Sequence, residues 1–213
     1  MNAFDYADYY RNPVLILGDG ILGQMAEPVE KTPYKPILDL PPKDFVLDGC
    51  KGRSPRVIKT LYLHPADSLV QHNLHLQEKY ARIKQELALY EEYETKDAEL
   101  IVSAYGVPGR VAKGAVKIAR KEGLKVGMIR PLCVWPFPAA PFQNAAKTAK
   151  QFLVVEMSFG QFIEDVKLAI ECKRPVAFLG KGGGWYPTQE EILEEIRRLT
   201  AKTKRPAAVK GSV

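Results

Sequence analysis

Cysteine is scarce in this sequence. Three occur in 213 residues, Cys50, Cys133 and Cys172, and no two form CxxC. That spacing excludes a disulfide scaffold and argues against a zinc site or an iron-sulfur cluster held by this chain. Free thiols behaving as small hydrophobes are expected. Histidine is equally rare, and all three residues precede position 76. A later serine or thiol nucleophile therefore has no histidine from its own part of the chain, and a self-contained hydrolase is not expected. His72 and His75 stand three apart, but no third ligand lies in evident register with them. Long apolar runs are also missing. No window approaches the roughly 18 residues of a membrane span. The opening MNAFDYADYYRN is acidic and aromatic where a signal peptide is basic and then apolar, so a cytoplasmic protein is expected.

What is present is an ordinary globular composition, 46% hydrophobic and 26% charged, enough for a substantial core. The net charge of +6 is uneven. Lys51, Arg53, Arg56 and Lys59 fall close together without an acid between them, and Lys202, Lys204, Arg205 and Lys210 mark the C-terminal tail. Neither run is interleaved with stacking aromatics, so nucleic-acid binding is not expected.

Patterning divides the chain. A short helix is predicted over 3–10 and a strand over Pro13–Leu17, where Val14, Leu15, Ile16 and Leu17 are apolar in succession. Such a strand expects burial on both faces, as in a parallel sheet covered by helices. The residues before it offer no neighbouring strand, so its partners are expected elsewhere in the chain or on another polypeptide. Prolines 33, 36, 41, 42 and 55 make residues 32–64 a linker, in which VIKTLYL (57–63) is either a short strand or an extended arm. A long helix over 65–96 is predicted from Leu69, Asn73, Leu76, Tyr80, Ile83, Leu87 and Tyr90, a seam at intervals of four and three spanning about seven turns. Asn73 either fixes register in that seam or is simply exposed. From residue 97 to about 200, strands and helices alternate, with a further helix over 140–150. That alternation implies a parallel sheet with right-handed crossovers. Residues 201–213 read as a flexible basic tail.

Two glycine clusters and one carboxylate merit chemical tests. Gly18-Asp19-Gly20 follows the first apolar run, as the metal-pyrophosphate motif of thiamine diphosphate enzymes does. That motif needs an asparagine about 25–30 residues later, and the next one is Asn73, so the spacing fails. The glycines are better read as a tight exit from the strand, with Asp19 a candidate contact at a strand C-terminus. Gly182-Gly183-Gly184 lacks P-loop spacing. A turn is favoured there, leading into a helix capped by Thr188 with Glu191 as its partner. Glu156 ends a strand just before Gly160-Gln161 and a helix, where a carboxylate suits acid-base chemistry or an interface.

Taken in order, YRNPVLILGDGILGQMAEPVE, KGRSPRVIKTLYL, HNLHLQEKYARI, AELIVSAYG, IRPLCVWPFP, VVEMSFGQFIEDVKLAI and KGGGWYPTQEEIL resemble the alpha subunit of 2-oxoacid:ferredoxin oxidoreductases, most closely the 2-oxoisovalerate branch. The likeness covers residues 3–200. It implies an α/β fold: a parallel-sheet, transketolase C-terminal-like domain over 97–200, preceded by the long helix and by the end of a thiamine-diphosphate pyrimidine-binding domain over 1–31. It implies oxidative decarboxylation of a 2-oxoacid to an acyl-CoA, with ferredoxin as electron acceptor. Thiamine diphosphate, Mg2+ and the iron-sulfur cluster are expected in the complete enzyme and on the beta and other subunits, with none held by this chain. The segment carrying the family's cofactor-activating glutamate has no counterpart here, so the resemblance assigns no catalytic residue and this chain alone is expected to be inactive. Gly18, Asp19, Gly20 and Glu156 remain candidate cofactor contacts, and Lys51, Arg53, Arg56 and Lys59 candidate contacts to coenzyme A or ferredoxin. Two other readings stay open: a free-standing module binding a phosphorylated ligand at its glycine turns, and a helix seam, through Leu76 and Ile83, that dimerises.

Overall fold

The computed structural model describes residues 2–50, 52–58 and 65–204, the side chains of 202–204 apart. The described residues up to 18 and from 25 to 85 form one compact unit, and those from 19 to 24 and from 86 onward form another.

The first unit contains helix α1 (Asn2–Tyr10) and helix α3 (Ser68–Glu86). Its centre is polar as much as apolar. Asp5 is buried, one carboxylate oxygen accepting from the Tyr34 hydroxyl and the other from the Ile37 amide at 2.9 Å. Those two bonds lay the proline-rich segment along α1 and hold the Asp5 carboxyl below its ordinary range. The Arg82 guanidinium lies 5.2 and 5.1 Å from the Tyr9 and Tyr10 rings, cation–π contacts that join α3 to α1.

Three expectations are corrected here. Pro13–Leu17 is extended but belongs to no strand ladder, and Leu15, Ile16 and Leu17 are 82%, 78% and 73% exposed. Nothing among the described residues pairs with this backbone, so the burial its sequence calls for is unmet. The long helix is also shorter than predicted, 19 residues or about five turns. Its last seam residue, Tyr90, opens strand β1 (Tyr90–Tyr93), which pairs antiparallel with β3 (Val126–Pro131). Backbone pairing there wins over helical spacing, because Leu89 already accepts bonds from Leu132 and Cys133 at 2.9 and 3.3 Å. Third, Cys50 and Cys172 are exposed rather than packed as small hydrophobes. Within the seam, Ile83 is buried, whereas Leu69 and Asn73 are exposed.

The second unit is the expected α/β sandwich. Its elements are α2 (Gly20–Gln24), β1, β2 (Leu100–Ser103), α4 (Gly106–Lys121), β3, α5 (Ala139–Ala145), β4 (Gln151–Glu156), α6 (Phe162–Ala169), β5 (Val176–Gly180) and α7 (Gln189–Lys204). The sheet runs β1-β3-β2-β4-β5, parallel except at β1. Strand β2 is buried at every position because both faces are covered. Leu100 and Val102 enter a core with α4 and α7, and Ile101 a second core with α5 and α6. Ser103 fits this interior because its hydroxyl donates to the Ile129 carbonyl at 2.9 Å. Small residues Ala112, Ala115 and Ala119 line α4. Helix α7 approaches so closely that a Cβ on Gly114 would overlap the Gln189 side chain. Gly123, at φ +80°, ends α4, its amide donating to Arg120 and that of Leu124 to Ala119.

The chain leaves β2 through α4 to one side, to β3, and then crosses through α5 to β4 on the other side. The crevice outside the C-terminal ends of β2 and β4 is therefore the switch point of the sheet, where α/β folds bind ligands.

Candidate functional site at the switch point

Strand β2 delivers Tyr105 to the start of α4. Tyr105 has the extended backbone of an N-cap residue, but its side chain makes no capping bond, leaving the first amides of the helix in need of acceptors. The acceptor is Asp19. Its Oδ2 takes the Val107 amide at 3.1 Å, and its Oδ1 takes the Leu22 amide at 2.9 Å in its own short helix. Gly106, at φ +58°, makes room: a Cβ there would lie 3.0 Å from Asp19 Oδ2. Gly18 and Gly20 flank this contact and have open space where a Cβ would be.

Strand β4 delivers Glu156, 2% exposed. Its Oε2 accepts the Phe162 amide at 2.7 Å, capping α6. Its Oε1 is sealed from solvent without a bonded partner. The amides of Gly160 and Ile163 and the Ser158 hydroxyl lie near enough to favour the ionised carboxylate, but they do not close a hydrogen bond onto Oε1. Burial nonetheless dominates and raises the Glu156 carboxyl above its ordinary range. Tyr105 connects the two carboxylates: its ring meets Phe162 edge-on at 5.0 Å, and burial, then the Glu156 and Asp165 charges, raise its hydroxyl. Sequence reasoning picked out Asp19 and Glu156 but missed Tyr105 and Phe162. The glycine after a tyrosine at the end of an apolar strand was the signal available for Tyr105.

The arrangement does not suit a metal-pyrophosphate group. Both Asp19 oxygens are taken by amides, and the described residues hold no group of three or more metal-ligating side chains. The glycine cluster after β5 is a turn, with Gly183 and Gly184 at φ +75° and +87°. It leads to a reciprocal cap in which the Glu191 amide donates to Thr188 Oγ1 at 3.2 Å and the Thr188 amide to Glu191 Oε2 at 2.8 Å. Two cavities, of about 430 and 220 Å³, open toward the N-terminal ends of the strands, one beside Lys147 and Arg174 and one beside Glu99 and Gln151. Of the basic run, Lys51 and Lys59 lie outside the described residues. Arg53 and Arg56 both face Asp48, at 2.5 and 3.6 Å, and Arg56 also donates to the Val46 carbonyl at 2.6 Å. Their charge is thus partly spent within the loop.

Comparison with known proteins agrees with this architecture. Residues 98–192 match the family described as Pyruvate:ferredoxin oxidoreductase core domain II. The chain is 40% identical to the ketoisovalerate oxidoreductase subunit VorB of Methanothermobacter marburgensis, across 95% of this chain and 57% of that protein. It is 30% identical to the 2-oxoglutarate synthase subunit KorA of Methanothermobacter thermautotrophicus, across 93% of this chain and 59% of that one. It therefore spans little more than half the length of these curated relatives. Among solved structures, the 2-oxoglutarate:ferredoxin oxidoreductase of Magnetococcus marinus, with 2-oxoglutarate, coenzyme A and succinyl-CoA bound, aligns at a TM-score of 0.53 and 21% identity, covering 64% of this chain and 24% of that one. At that identity the likeness speaks for the fold alone. Residues 98–192 thus match core domain II of pyruvate:ferredoxin oxidoreductase, in a chain similar along nearly its whole length to subunits of 2-oxoacid oxidoreductases.

Proposed function

We propose that this chain is a portion of the alpha subunit of a thiamine-diphosphate-dependent 2-oxoacid:ferredoxin oxidoreductase. The complete enzyme decarboxylates the 2-oxoacid, transfers the acyl group to coenzyme A and passes two electrons to ferredoxin. Its substrate is 2-oxoisovalerate, ahead of 2-oxoglutarate and pyruvate. The observation that carries this reading is the 40% identity to VorB over 95% of the chain, against 30% to KorA. Within the assembly this chain has a structural task. It supplies the α/β domain and an apolar segment that another sheet covers, while thiamine diphosphate, Mg2+ and the iron-sulfur cluster sit on other polypeptides. Arg53 and Arg56, with Lys51 and Lys59, are the candidate contacts for the phosphates of coenzyme A or the acidic surface of ferredoxin.

The test is to purify the tagged chain with its bound partners from its native cells and to assay coenzyme A-dependent reduction of a viologen dye. Reduction fastest with 2-oxoisovalerate supports the reading. Faster turnover of 2-oxoglutarate or pyruvate moves the chain to the corresponding branch. A chain recovered alone, with no 2-oxoacid-dependent reduction, overturns it.

A further inference from the structure

We propose that Asp19 is a positioning residue, a latch that fixes residues 19–24 to the first turn of α4 and, through the Tyr105–Phe162 ring pair, sets the two loops at the switch point. The Gly18-Asp19-Gly20 triplet looks like a ligand motif in the sequence, and its geometry assigns it this different task. A carboxylate with both oxygens on amide donors is committed to the protein itself. One of those donors, Val107, is 88 positions away in the sequence, so the bond joins parts of the chain that share no local structure.

Three observations make this more than an ordinary cap. First, α4 has no capping side chain of its own. The positive end of a helix of 16 residues therefore depends on an anion brought from elsewhere. Second, the glycine at position 106 is required by the contact. Its positive φ and the 3.0 Å approach of Asp19 Oδ2 both disfavour a side chain there. Third, a continuous set of contacts leads onward. Val107 and Gly106 follow Tyr105, whose ring packs edge-on against Phe162 at 5.0 Å, and the Phe162 amide is held by Glu156 at 2.7 Å. Two helix N-termini, each capped by a carboxylate outside the helix, are thereby joined by one aromatic pair.

The consequence concerns the exposed run Val14–Leu17, which enters the latch through Gly18. Whatever polypeptide takes up that run acts on a segment fastened to α4, and coupling of this kind is reciprocal. Site-resolved amide exchange on the full chain tests it. In Asp19→Ala, the Leu22 and Val107 amides are expected to exchange about fivefold faster, the size of a lost cap. The Phe162 amide is expected to follow with a smaller increase, and the amides of α5 to stay unchanged. Gly106→Ala approaches from the other side, and it is expected to speed exchange at Leu22 although it alters nothing in residues 19–24. If Leu22 alone responds to Asp19→Ala, Asp19 serves only its own short helix and the latch is wrong. An unchanged Leu22 in Gly106→Ala, or a uniform rise through β2, β3 and β4, overturns it equally.

Discussion

The two units of this chain solve the problem of burial in opposite ways. The α/β unit covers its central strands on both faces. Leu100, Ile101, Val102, Phe152, Leu153 and Val154 are wholly inaccessible. Among the described residues of the other unit, only Asp5, Tyr10 and Ile83 are buried, while Leu15, Ile16, Leu17 and Val70 are open. Each open aliphatic forgoes roughly 1.5–3 kcal/mol of burial. A sequence that keeps such residues in succession is written for a surface that covers them. The contrast teaches that one unit covers its own apolar residues while the other leaves them open, and our proposal assigns their cover to a partner.

The largest effect should come from the self-sufficient core. Phe152→Ala removes a ring buried beside Phe142 and is expected to cost about 3–5 kcal/mol, lowering Tm by roughly 10 °C in thermal unfolding. Leu15→Ser is the counterpart in the other unit. It should change the stability of the isolated chain by less than about 0.5 kcal/mol, yet weaken recovery of the chain with its partners in co-purification. Equal loss from both substitutions in the isolated chain would erase the distinction.

Glu156 sharpens the comparison because, among the described residues, it is the ionisable side chain buried within the α/β core. Glu156→Ala strands the Phe162 amide and is expected to cost about 1–3 kcal/mol. Glu156→Gln keeps an acceptor and removes the charge. A carboxyl raised by burial is protonated more readily in the folded state than in the unfolded one. Its stabilising contribution is therefore full below the unfolded pKa and is lost as pH rises through the folded pKa. Glu156→Gln should accordingly gain on the parent as pH rises from the ordinary carboxylate range towards neutrality, as followed by urea unfolding at a series of pH values. Asp5, Asp97, Glu122 and Glu191 are held low by their hydrogen-bond partners. They act with the opposite sign, stabilising above that range and losing their effect as pH falls.

Smaller effects follow. Thr188→Ala removes the reciprocal cap of α7 and should cost about 1 kcal/mol in urea unfolding. Replacing Arg53 and Arg56 together by glutamine should cost under about 0.5 kcal/mol, since their pairs with Asp48 are solvent-screened. In the complete enzyme the same pair should raise the KM for coenzyme A or ferredoxin at low salt, and unchanged kinetics would remove the contact we assign them.

Much of the α/β unit was legible in the sequence because its signals are local. Apolar runs such as LIVS and FLVV, the glycine that ends α4 and the Thr188–Glu191 pair each announce themselves within a few residues. Strand β1 was not legible. YEEY is short and half charged, and Tyr90 falls in step with the helix seam before it. Only its pairing with Met128–Pro131, nearly forty positions on, makes it a strand. The candidate site divides in the same way. Glu156 stood out at the end of an apolar strand, whereas the task of Asp19 depends on an amide that no spacing rule connects to it. The run Val14–Leu17 was read as a buried strand and is instead extended and exposed, because apolar pattern alone does not supply the pairing partner that a strand needs.

The most direct measurement is backbone amide exchange of residues 14–17, in the isolated chain and in the chain recovered with its partners. Exchange near the free-chain rate in isolation, with β2 and β4 strongly protected, followed by protection of 14–17 in the assembly, is the predicted result. Protection of 14–17 equal to that of β4 in an isolated, monomeric chain would contradict the division into a self-sufficient unit and one that needs a partner.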